Sequence, residues 1–101
     1  MYIYVLKLEN NKYFIGNTYN PYFSLSTYKD IENDDNEFTY YNKPISLYEF
    51  IPKCDEYDTD KYVKKYMKKY GLDNVRGGSY NNLKLSSFEK EFIQKELDYI
   101  D

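Results

Sequence analysis

The sequence predicts a small α+β domain, a three-stranded antiparallel sheet flanked by helices in the order β-β-α-β-α-α. Three observations point there. Residues 2–8 (YIYVLKL) and 12–16 (KYFIG) are rich in aromatic and β-branched side chains and are separated by the polar stretch Glu9-Asn10-Asn11, a hairpin signal. Within residues 58–70, Lys61, Lys64, Lys65, Lys68 and Lys69 fall in an arc of roughly 140° at about 100° per residue, with Tyr62, Val63, Tyr66, Met67 and Tyr70 opposite, the pattern of an amphipathic helix. The 101 residues are the length of one domain, taken here as 1–101.

Each element has its own local reason. The first two strands pair through their short polar turn. Asn20-Pro21 then sets a good capping residue before a proline at the first helical position, and Phe23, Tyr28 and Ile31 supply an inward stripe, so a short helix is expected over 21–30. Residues 30–37 (DIENDDNE) carry five acidic side chains and no base, which reads as a solvated loop. Residues 45–51 (ISLYEFI) resume strand character and stop at Pro52. Asp58-Thr59-Asp60 offer caps for a helix through Tyr70, and Gly71 supplies its stop. A Gly/Asn-rich loop follows at 77–84 (GGSYNNLK), after which Ser86 and Glu89 fit a capping box opening a last helix to Ile100.

Composition excludes several function classes. Fourteen Lys plus Arg against seventeen Asp plus Glu give a net charge of -3, which rules out a strongly basic nucleic-acid coat protein. No run approaches the roughly 18 apolar residues of a membrane span, so no membrane partner is expected. Met1 to Lys7 hold no charged n-region or small-residue cleavage site, so no signal peptide is read and an intracellular setting is expected. The single cysteine, Cys54, excludes an internal disulfide and a Cys-rich zinc site. The absence of histidine removes Ser-His-Asp triads, imidazole bases and His–metal clusters. Chemistry would have to run on carboxylates, tyrosines, lysines or the only arginine, Arg76. With 15 tyrosines and no alanine or tryptophan, tyrosine must fill the core, and each buried hydroxyl needs a partner. Abundant Tyr, Lys and Asn, whose codons are AT-rich, point to an AT-rich genome, viral or parasitic.

Tyr2-Ile3-Tyr4, followed at hairpin distance by Phe14-Ile15-Gly16, resembles the paired signature of the GIY-YIG endonucleases. Gly16-Asn17-Thr18-Tyr19-Asn20-Pro21 resembles that family's turn into its first helix, and Lys61 to Gly71 with Asp73 to Gly78 its later helix and loop. Phe38 to Ile45 is similar to small stand-alone members found in large DNA viruses. The resemblance implies metal-assisted cleavage of DNA with Mg²⁺ or Mn²⁺. A signature tyrosine would help activate water, a helix carboxylate would hold the cation and an arginine would stabilise the phosphate.

Carried over position by position, the resemblance makes Tyr4 the catalytic tyrosine, although a core tyrosine on a strand explains it equally. Tyr2 stands where the signature has glycine, and Phe14 where it has its second tyrosine. Tyr13 is adjacent to Phe14, but neighbouring strand residues point to opposite faces. Ser24, eight residues after Gly16, occupies the expected arginine position. Losing one preorganised donor at the scissile phosphate costs on the order of 10²–10³ in rate. Lys29 could replace the missing charge only with a register shift. Asp60 falls at the metal position, or else caps its helix. Asn74 matches a polar family position, or closes the turn after Gly71. Lys64, Lys65, Lys68, Lys69 and Arg76 form a basic face that would track phosphates, or a merely solvated helix face. Three readings follow: an impaired nuclease fold kept for binding nucleic acid or protein, a slow endonuclease using Tyr4 and Asp60, and a protein-interaction module. In the last, the acidic 30–37 loop of one copy would meet the lysine face of another in a homo-oligomer.

Overall fold

A computed structural model describes residues 1–31 and 36–99. Its centre is β1 (Tyr2–Leu8), whose Ile3, Tyr4, Val5, Leu6 and Leu8 are all buried because both faces of the strand are covered. β1 turns back antiparallel into β2 (Lys12–Thr18), with Tyr4 opposite Gly16 and Leu6 opposite Phe14. The connecting turn, Glu9–Asn11, holds Asn10 and Asn11 at φ 63° and 56°, a left-handed conformation that asparagine tolerates better than other side chains.

The expected third strand is β3 (Pro44–Ile51), antiparallel to β1 on its other side. Val5 faces Glu49 while Leu6 faces Leu47, so Tyr48 is the extra residue of a bulge. A fourth strand corrects the sequence expectation. β4 (Val75–Gly77) runs parallel to β2, giving a mixed sheet of order β3-β1-β2-β4 rather than three antiparallel strands. Three residues, all buried, are too few to show an alternating pattern, so β4 was hidden in what reads as a loop.

Alternation along β1 and β2 divides the core into two clusters. Tyr4, Leu6, Leu8 and Phe14 point to one face, covered by Phe23, by Tyr28 from α1 (Leu25–Ile31) and by Phe38 from α2 (Glu37–Tyr41). Ile3, Val5, Tyr13 and Ile15 point to the other, covered by α3 (Asp58–Tyr70) through Val63, Tyr66 and Met67 and by α4 (Ser87–Leu97) through Ile93 and Leu97. Tyrosine hydroxyls are satisfied in both layers. Tyr28 shares a 3.0 Å bond with Thr39, and Tyr66 donates to Glu49.

The helices differ from expectation at their ends. α1 begins at Leu25, not at residue 21, because Asn20 uses its side chain and carbonyl to form a turn, accepting from the amides of Tyr22 and Phe23. α2 was not anticipated. Asn36 caps it by accepting from Thr39, and of the stretch expected to be an acidic loop, residues 32–35 lie outside the described residues. Ahead of α3 the cap is Asp55 with Asp58, which exchange side chain–backbone bonds, while Gly71 closes the helix through Met67. The Ser86–Glu89 capping box opens α4 as expected. The chain order is therefore β-β-α-α-β-α-β-α. Among the described residues no helix is long and apolar enough to cross a membrane.

Candidate functional site

The centre implied by the resemblance is built around Tyr4 and Gly16, which face each other across the β1–β2 hairpin. The Tyr4 ring lies directly over Gly16, and a methyl group there would overlap both ring and hydroxyl. On its other side Tyr4 stacks on Phe23 with ring centroids 4.2 Å apart, leaving it 2% exposed. Phe14 is on the same face and packs against Tyr28. Tyr13 points to the opposite face, as the alternation requires. There it stacks on Tyr70 at 4.3 Å and meets Tyr48 edge-on at 5.3 Å. Ser24 lies on the surface, where its hydroxyl accepts from the Thr27 amide at the start of α1.

Asp60 stands on α3, the helix covering the face away from Tyr4. Its two carboxylate oxygens accept from the amide and hydroxyl of Ser79, at 2.8 and 2.7 Å. Gly78 makes this clamp feasible. It sits at φ 53°, and any side chain would run into the Asp60 carboxylate. Asp60 therefore fastens the loop after β4 to α3, a role that neither the metal nor the helix-cap reading contains. Among the described residues no three acidic or cysteine side chains come together as a cation site.

The basic group divides into three roles. Arg76, read as a phosphate contact, is 1% exposed, which corrects that expectation. It lies over the Phe38 ring at 5.1 Å and donates to the carbonyls of Leu72, Val75, Asn82 and Leu83, tying both flanks of β4 together. Desolvation pulls its pKa below the usual arginine value, partly offset by Asp73 and Glu89. Lys64 and Lys68 turn toward α4: Lys64 pairs with Glu96, which raises its pKa, and Lys68 donates to the Leu97 carbonyl at 3.1 Å. Lys64 is half-buried in this pair, whereas Lys68 stays exposed although its ammonium reaches α4. Lys65 and Lys69 remain exposed, each with its ammonium over a tyrosine ring, Tyr62 at 5.7 Å and Tyr70 at 5.3 Å. Asn74 closes the turn to Gly71 and bonds the Tyr70 carbonyl, while its side-chain oxygen accepts from Lys12.

The structure thus joins Tyr4 to Gly16, Asn74 to the end of α3, and Asp60 to Ser79. Ser79 and Gly78 are the partners that the sequence reading missed. The adjacent glycines at 77–78 were the available sign of a close approach, but nothing local names Asp60 as what approaches. The fold and site define a small α+β domain with a four-stranded mixed sheet and helices on both faces. Compared with family models, curated proteins and solved structures, the chain matches none.

Proposed function

We propose that the chain is a GIY-YIG-like nuclease fold whose cleavage centre is impaired and which is retained as a binding module for nucleic acid or protein. One observation carries this reading. The groups that metal-assisted cleavage needs are otherwise engaged: Tyr4, 2% exposed, is stacked against Phe23, and Asp60 holds the amide and hydroxyl of Ser79. Ser24 adds no charge where a phosphate would need one. The alternative, a slow endonuclease using Tyr4 and Asp60 with Mg²⁺ or Mn²⁺, requires the buried Tyr4 to reach water.

Nucleic-acid binding is supported by Lys65 and Lys69, exposed and without an acidic partner among the described residues. Protein binding is supported by exposed aromatics such as Tyr22 and Tyr57, 87% and 79% accessible. Cleavage and binding should be measured on the same panel of branched, nicked and linear DNA. The expected result is no turnover with either metal, and low-salt binding that weakens with added salt and in Lys65→Glu with Lys69→Glu. Turnover abolished by Asp60→Asn would sink the impaired-centre reading; absence of binding at low salt would remove nucleic acid as the ligand and leave a protein partner.

A further inference from the structure

α4 presents an outward stripe that the other described residues leave open. Phe88 and Phe92, one helical turn apart, are 78% and 57% exposed, and Tyr99, in the turn after the helix, is 90% exposed. At about 100° per residue, positions 88, 92, 95 and 99 lie within roughly 60° of one another, with 91 about 40° beyond on one side. Glu91 and Lys95 therefore flank the aromatics, and among the described residues neither has an ion-pair partner. Phe88, Glu91, Phe92 and Lys95 line a shallow hollow of about 220 Å³. Large aromatic side chains clustered in water at this density mark a contact surface.

We propose that this stripe is where two copies of the chain pair, α4 against α4, antiparallel about a twofold axis near position 93. An axis at about that position sets Phe92 beside its own copy, Phe88 of each chain opposite Tyr99 of the other, and Glu91 of each opposite Lys95 of the other. One register satisfies the aromatics and the charges together. The charge pattern selects the occupant: one acid and one base on a single stripe are both matched by an inverted copy of that stripe, whereas a uniformly acidic or basic partner would oppose one of them. Eleven residues of helix span only about 16 Å, so the contact falls at the small end of specific interfaces and assembles with rising concentration. The inference is independent of the nuclease-fold reading.

Sedimentation over a concentration series tests it with Glu91→Lys, Lys95→Glu and their equimolar mixture, each checked for intact helix by circular dichroism. The chain is expected to dimerise, and each single variant to dimerise at least about tenfold more weakly because like charges then meet across the axis. Mixing the two variants restores both opposite-charge pairs in a heterodimer, and the doubly exchanged chain restores them in a homodimer. Recovery of association in the mixture supports the proposal, and recovery in the doubly exchanged chain adds to it. A chain that stays monomeric at every concentration, or a mixture no more associated than its components, overturns it.

Discussion

Gly16 owes its place to its neighbour across the hairpin rather than to backbone freedom. The Tyr4 ring fills the space a side chain would take, and Phe23 on the ring's far side blocks retreat. Gly16→Ala is therefore expected to cost about 1–3 kcal/mol, the usual penalty for overfilling a packed site. Thermal melts of Gly16→Ala, Tyr4→Leu and the double variant check this. Shortening Tyr4 should relieve the clash, so the double variant should lose less than the two singles combined. A strictly additive result would show that the close approach is not what makes glycine necessary. Arg76 shows the opposite dependence at the same scale, since its neighbours along the chain do not mark it as buried. The carbonyls that receive it come from residues 72, 75, 82 and 83, which meet only once β4 has docked. Counting lysines and arginine along 61–76 therefore grouped a core residue with surface ones.

At the scale of elements, local chemistry and tertiary structure can be told apart. The hairpin, β3, α3 and the α4 capping box were legible because each has its signal within a few residues: polar turn residues between aromatic runs, a 3.6-residue apolar period, or Ser-x-x-Glu. β4 was not, because its strand character consists in pairing with β2 some sixty positions earlier. Tyr4 and Asp60 can be picked out in the sequence, but the partners that engage them, Phe23 at the one and Ser79 at the other, lie on other segments and no spacing reveals them. The capping box yields a pH-dependent prediction. Hydrogen bonds from the Ser86 amide and hydroxyl hold the Glu89 pKa below its ordinary value. The resulting stability is present above the unfolded value of about 4.3 and is lost as pH falls through the lower folded value. Ser86→Ala should cost about 1 kcal/mol at neutral pH. The gap between variant and parent melting temperatures should narrow as pH drops below 4; a gap constant down to pH 2 would detach Glu89 from the cap.

For the molecule as a whole, two tyrosines at the rim of the core give stability an alkaline limit. The Tyr48 hydroxyl lies 3.4 Å from that of Tyr70, and this contact is the main reason its pKa is raised; Tyr62 is raised chiefly by burial. A raised folded pKa means stability that is complete below the unfolded value of about 10 and declines as pH climbs through the folded value. Melting temperature should therefore be level through neutral pH and fall above about 10, more gently in Tyr48→Phe; equal slopes in the two proteins would contradict the Tyr48 contribution. The position of β1 has a further consequence, for the chain as it leaves the ribosome. The strand made first is the middle of the sheet, while β3 and the helices that cover its second face are made later and the parallel edge β4 later still. Until β3 and α3 have been made, the Tyr-Ile-Tyr-Val-Leu segment of β1 has only β2 to pair with, so the early hairpin is what shields one edge of it from other unpaired strands.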